Sequence, residues 1–308
     1  MNTKLKPIVA AMGLGLAIIA GPSAAAVTLY SPLTGFEDDN VDFVLDANGT
    51  PNLLDAGDTI LSIFEIGQTF AVGGSESSPI TDGQELTGIA AFTFDRFADV
   101  DNDGDSDDIV FRAYAPGLNS FLPIDVIGGE AGGGAVAALF LGDGTDPATS
   151  LSTLGATNCA DQADCIARAT DGTLFEVDGF TTADGDEFWV ALNAATDLSA
   201  VQAGAVSSNF ANVNFALSIL DGGPNTYALQ SAPALAAAGF DPNGGASDGL
   251  IGAIGSGSLL GGEGLINGAV AHSDFDFQKA LAQQVPEPGT IALLGLGLLG
   301  MGAVRRRV

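Results

Sequence analysis

The sequence predicts an all-β protein, an antiparallel β-sandwich of the jelly-roll-like kind with few short helices. Residues 213–219 alternate large apolar side chains with small or polar ones, which puts every second residue on one buried face of a strand. Turn dipeptides such as Asp143-Gly144 and Asp171-Gly172 separate runs of similar length. Many short strands with frequent turns and few helical stretches are typical of a sandwich.

The N-terminus has the three parts of an export signal. Lys4 and Lys6 supply positive charge, residues 8–20 are apolar, and residues 22–26 are mostly small. This order is typical of a signal peptide, and we expect cleavage after Ala26. The alternative is an uncleaved anchor helix, although the apolar run is short for one.

The remainder divides into an acidic domain (27–278), a linker (279–284) and a C-terminal segment (285–308). Further strands are expected at residues 41–45, 60–66, 89–94, 109–114, 135–141, 174–177, 188–192 and 275–277. Helices are expected at residues 160–169, 196–203 and 233–238. The glycine-rich stretch 241–268 has weak periodicity, so we expect a long surface loop or an ordered insertion there.

Charge excludes one class of partner. Residues 27–284 carry four basic and 37 acidic side chains, a formal charge of −33. Such a surface repels phosphate backbones, so no nucleic acid is expected as a partner. It attracts divalent cations, and calcium is the abundant extracellular candidate.

Residues 46–58 contain oxygen-bearing side chains at alternate positions, at Asp46, Asn48, Thr50 and Asn52. This spacing resembles a degenerate calcium loop, but Pro51 stands where a turn glycine is expected. A plain loop of Asx turns is an equally good interpretation.

The strongest internal motif predicts a calcium site. Its acids recur at alternate positions beside the turn residue Gly104, at Asp99, Asp101, Asp103, Asp105 and Asp107. Val110 stands where an EF-hand has its bidentate glutamate. The loop is more similar to the short calcium loops of dockerin-like and thrombospondin-like repeats. That resemblance implies side-chain ligands at 99, 101, 103 and 107 and the backbone carbonyl at 105; the alternative is a solvated acidic turn.

Two cysteines, one tryptophan and one histidine in the second half of the chain are candidates for specific roles. Cys159 and Cys165, an even pair in an exported protein, predict one disulfide. Trp189 lies in an apolar run, which favours a place in the core over a sugar-stacking surface. His272 is the single histidine and precedes a strand, so any catalytic triad would depend on it alone.

Enzyme signatures are otherwise mostly absent from the sequence, and the glycines at 132–134 lack the lysine that follows in a phosphate loop. A pair of carboxylates for glycoside hydrolysis stays open, because 37 acids offer many candidates and none stands out. We therefore expect a protein that is not an enzyme, with a secreted polysaccharide-active hydrolase as the alternative.

The C-terminus combines three features in a fixed order. Val285, Pro286, Glu287 and Pro288 are followed by an uncharged apolar run at 291–304, and the basic residues come last, at Arg305, Arg306 and Arg307. The prolines favour an extended peptide, and the arginines hold the end of an apolar helix at the cytoplasmic face.

These residues together resemble the PEP-CTERM sorting signal of Gram-negative bacteria. The resemblance implies a single-helix anchor that holds the exported chain in the inner membrane until an exosortase processes it. It further implies a structural or adhesive role at the cell surface or in the extracellular matrix, in biofilm, with extracellular polysaccharide as the partner.

Overall fold

The computed structural model describes residues 34–71, 77–79, 83–146, 148–153, 157–181, 187–221 and 251–279. The signal peptide, the predicted helix at 233–238, most of the linker and the sorting tail lie outside these residues. Within the described ranges, no helix has both the length and the apolar character needed to cross a lipid bilayer.

The described residues form one antiparallel sheet with short helices between its strands. The strands are β1 (Thr34–Leu45), β2 (Thr59–Ala71), β3 (Ser77–Pro79), β4 (Gln84–Ala98), β5 (Asp108–Ala113), β6 (Ala135–Asp143), β7 (Thr173–Gly179), β8 (Phe188–Leu192), β9 (Asn209–Asp221), β10 (Ile251–Gly261) and β11 (Ala271–Lys279). The helices are a 3₁₀ turn (Leu118–Ser120), α1 (Gln162–Ala169) and α2 (Leu198–Ala203).

The sheet closes on itself, because β2 pairs with β4 as well as with β1. From β4 the pairings run through β6, β7, β9, β10 and β11 and return to β1. The result is an antiparallel barrel of eight strands. The prediction of an all-β protein with few helices is confirmed, whereas the predicted sandwich is wrong. Alternating side chains bury one strand face in both architectures, so the pattern does not distinguish them.

The wall of the barrel forks between β4 and β9. Residues 84–90 of β4 pair with β6, and residues 92–98 on the same edge pair with β5. In β9, residues 212–216 pair with β8 and residues 218–221 pair with β7. One end of this wall is therefore the β6–β7 pair, and the other end is the β5–β8 pair that adjoins the acidic loop.

The barrel interior is packed with aromatic rings. Trp189 lies between Phe92 and Phe215, with ring centroids 4.5 and 4.4 Å away, and Phe275 meets its edge at 5.8 Å. Only 5% of Trp189 is exposed, which confirms its predicted place in the core. These stacked and edge-on contacts add to the free energy of burial, by about 0.5–1.5 kcal/mol per pair.

A second apolar cluster lies outside the barrel, where α1 packs against β2 and β4. Ile63 and Ile89 point outward from the sheet and are fully buried in this cluster. Cys159 and Cys165 form the predicted disulfide, with their Cα atoms 5.0 Å apart, and both lie in the same cluster. The disulfide therefore ties the start of α1 to the loop that precedes it, over an apolar part of the barrel wall.

The glycine-rich stretch is not simply a loop, because its residues 251–261 form β10. A side chain at Gly255 would come within 2.5 Å of the Phe215 ring, and one at Gly257 would collide with the Phe275 ring. Neighbouring aromatic rings fill the interior where β10 crosses, so glycine provides the only room. The missing apolar alternation explains why the sequence left a loop and an ordered insertion open, and residues 251–261 are ordered as a strand.

Candidate metal centre

The acidic loop joins the antiparallel strands β4 and β5 and lies at the β5–β8 end of the barrel. It turns at Asn102 and Gly104, which have φ values of 62° and 101°. Left-handed backbone of this kind is open to glycine and tolerated by asparagine, so these two residues permit the tight return. The segment forms a tight loop between the two strands, and the side chains of Asp99, Asp101, Asp103 and Asp105 are exposed on it.

Asp108, the first residue of β5, is buried beneath this loop and accepts hydrogen bonds from its backbone. One carboxylate oxygen accepts the N–H of Val100 at 2.6 Å and that of Asp101 at 3.2 Å. The other accepts the N–H of Asn193 at 3.0 Å. Burial acts to raise the pKa of Asp108, but these three N–H groups stabilise the charged form and hold the pKa below its ordinary value. Asp108 is therefore a buried anion held by backbone donors.

Three carboxylates converge at this point. Asp99, Asp101 and Asp108 each offer one oxygen, and the three atoms lie within 4.8 Å of one another. Carboxylate oxygens at this separation can ligate one hard cation such as calcium, with water or backbone carbonyls in the remaining positions. Two of the three residues were predicted from the sequence as ligands, and Asp108 was not.

The side-chain carboxylates of the other three predicted residues, Asp103, Asp105 and Asp107, are not part of this group. Asp103 Oδ1 accepts the N–H of Asp105 at 2.9 Å, which is the hydrogen bond of an ordinary Asx turn. The pKa of Asp107 is raised by desolvation and by its neighbours Asp103, Asp108 and Asp105. Like charge therefore accumulates beside the converging oxygens.

Asn193, which the sequence did not single out, connects the loop to the turn after β8. It has a φ of 53°, its N–H reaches Asp108, and its side-chain amide donates to Asp101 Oδ2 at 3.4 Å. The N–H of Ala194 also donates to the carbonyl of Asp107 at 3.3 Å. These bonds join segments about 85 residues apart, so only the folded barrel assembles the site.

The second acidic loop, at residues 46–58, uses its carboxylates differently. Asp58 is fully buried and accepts the N–H groups of Ala47 and Asp55, both at 2.8 Å. Asp46 accepts the N–H of Gly49 at 2.6 Å. Of the two interpretations left open for this segment, these contacts favour the plain loop of Asx turns.

The barrel interior contains acids that sequence reasoning missed. Asp38 and Asp42 lie on the inner face of β1 and are about 4% and 3% exposed. Burial raises the pKa of Asp42 to about 6, against the opposing hydroxyls of Ser62 and Ser273. Burial also raises the pKa of Asp38 well above its ordinary value, although the N–H of Phe275 donates to it at 3.0 Å. Asp38 and Asp42 follow the buried Phe36 at every-second-residue positions, and this spacing could have indicated that they share its inward face.

More acids face each other on the outer surface of the same strands. Asp39 of β1 lies directly across from Asp274 of β11 on one side and Glu65 of β2 on the other. Burial, then Asp274 and Glu37, raise the pKa of Asp39 to about 6. His272 of β11 lies on the same outer surface and is 8% exposed. Burial lowers the pKa of its imidazole, which favours the neutral form at neutral pH.

Comparison with known proteins supplies the function of the tail. Residues 284–307 match the family model of the PEP-CTERM protein-sorting motif, which confirms the resemblance seen in the sequence. This span includes Glu287 and the three terminal arginines and lies outside the described residues. The motif implies an exported protein that is sorted by an exosortase. A search of curated proteins finds no match to the chain.

Proposed function

We propose that this protein is a non-enzymatic component of the cell surface or extracellular matrix, whose acidic barrel binds calcium and associates with extracellular polysaccharide. The tail anchors it in the inner membrane before exosortase processing. The observation that carries the calcium part is the convergence of Asp99, Asp101 and Asp108 within 4.8 Å. A cation there would hold the start of the β4–β5 loop against Asp108 at the start of β5.

Charge supports a role for cations. The four basic residues between positions 27 and 284 face 37 acids. Arg96 and Arg112 both pair with Asp95, and Arg168 pairs with Asp164. Since these contacts use the three arginines on so few acids, most carboxylates depend on backbone donors, protons or dissolved cations for compensation.

Packing of the interior supports a structural role over the hydrolase alternative. Trp189 is stacked between two phenylalanines and offers no face to a sugar. The cavity between the rings measures about 40 Å³, which accommodates a few water molecules at most. A polysaccharide would therefore meet the outside of the barrel, where acids and bridging cations lie.

Thermal unfolding tests the calcium part. The exported protein is melted in calcium and in chelator at equal ionic strength, as wild type, as Asp101→Asn and as the exposed control Asp125→Asn. A site saturated at about 100 times its dissociation constant adds about 2.7 kcal/mol. We expect the calcium response of Asp101→Asn to be smaller than that of wild type by about this amount, and the response of the control to equal that of wild type. Equal calcium responses in all three proteins would show that the loop is only a solvated turn.

The polysaccharide part needs a separate measurement. The exported protein is mixed with extracellular polysaccharide purified from its host, with calcium or with chelator, and both bound protein and new reducing ends are measured. We expect calcium-dependent binding without new reducing ends. Steady release of reducing ends would favour the hydrolase, and absence of binding in both buffers would remove polysaccharide from the proposal.

A further inference from the structure

Glu85 is a buried carboxylate, and one of its two oxygens has no hydrogen-bond partner among the described residues. It lies near the start of β4 on the outer face of the barrel, and only 5% of the residue is exposed. Oε2 accepts the N–H of Leu151 at 3.2 Å. Oε1 is buried and has no hydrogen-bond partner among the described residues. A buried charged oxygen without a partner costs free energy, so it indicates a missing ligand or proton.

The free oxygen faces a second carboxylate across a glycine of β6. A Cβ atom on Gly142 would lie 3.0 Å from Glu85 Oε1 and 3.4 Å from Asp171 Oδ1. Both oxygens thus converge on the space that every other amino acid would fill. Asp171 is exposed and lies in the turn that leads from α1 into β7, so the space opens to solvent on its side.

The surroundings are negative and rich in oxygen. Burial raises the pKa of Glu85 to about 7, and the nearby carboxylates of Asp171, Glu65 and Asp143 act in the same direction. A surface cleft of about 700 Å³ adjoins the space and is lined by residues that include Asp143, Thr145 and Asp171. Each of the three arginines in the described ranges pairs elsewhere, with Asp95 or Asp164.

We propose that Glu85 and Asp171 bind a divalent cation of the calcium class in the space above Gly142. Two carboxylates meet the preference of a hard cation for oxygen, and cleft waters held near Asp143 and Thr145 complete its shell. This site lies on the other side of the fork in the wall from the β4–β5 loop, and it does not depend on that loop. It would fasten the segment around Leu151 and the turn before β7 to the barrel.

The test uses calcium alone as the probe, titrated calorimetrically into metal-free exported protein. Glu85→Gln keeps the shape and the Leu151 contact but removes the charge, and Asp171→Asn does the same at the exposed ligand. Gly142→Ala keeps both carboxylates and fills the space between them. Asp125→Asn is the matched charge control, and Asp101→Asn reports the loop site separately.

We expect Glu85→Gln, Asp171→Asn and Gly142→Ala each to weaken one class of calcium sites at least about tenfold, or to abolish it. Asp125→Asn should leave it unchanged, and Asp101→Asn should affect only the other class. In chelator, Glu85→Gln should melt no lower than wild type because it removes an uncompensated buried charge. A tenfold loss in Asp171→Asn and Gly142→Ala supports the site even if Glu85→Gln fails to fold.

Unchanged calcium binding in Asp171→Asn and Gly142→Ala would overturn the proposal, whatever happens at the loop. A second measurement follows the Glu85 side-chain carboxyl by carbon NMR at fixed pH. Saturating calcium should shift its resonance in wild type and leave it unshifted in Gly142→Ala. A resonance that responds to pH and not to calcium would show that a proton, not a cation, satisfies Glu85 Oε1, and would equally overturn it.

Discussion

Asp108, where the β4–β5 loop meets β5, and the aspartates of strand β1 carry the same side chain, but their pKa values are shifted in opposite directions. The pKa of Asp108 is held below its ordinary value by three backbone N–H donors. The pKa values of Asp39 and Asp42 are raised to about 6. A loop has N–H groups that no ladder uses, and these can turn toward a carboxylate. Most N–H groups beside a barrel strand already belong to the sheet, so strand acids gain few donors and pay for burial.

The largest expected effect is the pH dependence of stability that arises from Asp42. Its pKa is about 6 in the folded barrel against an ordinary 3.8, so the folded state binds the proton more tightly. That extra stability is complete below pH about 4 and is lost as the pH rises through about 6. A shift of this size corresponds to about 3 kcal/mol.

Denaturant unfolding between mildly acidic and alkaline pH measures this effect. Asp42→Asn keeps an acceptor for Ser273 Oγ, which donates to Asp42 Oδ2 at 2.7 Å, but it does not ionise. We expect the variant to lose the part of the pH slope between about pH 4 and pH 6 and to exceed wild type at pH 8. The same slope in both proteins would mean that Asp42 does not ionise differently in the fold.

The loop acid Asp108 should behave in the opposite way. In chelator at neutral pH, we expect Asp108→Asn to lower the free energy of unfolding by about 2 kcal/mol, because a charged acceptor of three N–H groups becomes a neutral amide. Asp103→Asn is the matched control, since Asp103 accepts a single N–H on the exposed part of the loop. Its effect should stay within about 0.5 kcal/mol. Equal losses in the two variants would remove the distinction between them.

The smallest effect concerns the outer acids of β1 and β11. Asp274 lies directly across from Asp39 and raises its pKa. We expect Asp274→Asn to stabilise the barrel by about 0.5 kcal/mol at neutral pH, as is typical when like charges are removed from a cross-strand pair. A double-mutant cycle with Asp39→Asn measures the coupling. A coupling of zero would show that solvent screens this pair.

The candidate loop site could be predicted in part. Alternate acids around Gly104 indicated a cation loop, and Asp99 and Asp101 do converge. Asp108 was missed because it also begins a strand, and strand acids are usually counted as solvated. Asn193 was beyond prediction, since it reaches the loop only after β8 pairs with β5.

The site at Glu85 and Gly142 also could not be predicted from the sequence, because it depends on strand pairing. Glu85 precedes the strand predicted at residues 89–94, in a position where an acid indicates exposure, and Gly142 precedes a turn signal. Their opposition across β4 and β6 follows from the pairing of Glu85 with Gly142 in the barrel. No spacing within either segment contains that information.

The sequence by itself determined that the protein is exported and sorted, that its fold is all-β, and where many of its strands lie. A sorting motif is read as a linear peptide, and alternation such as that of residues 213–219 depends only on strand geometry. The tertiary structure alone decided that the sheet closes, that the glycines of β10 make room for aromatic rings, and which acids meet. Closure and convergence depend on pairings between residues far apart in the chain, whereas periodicity reports only which face of a strand is buried.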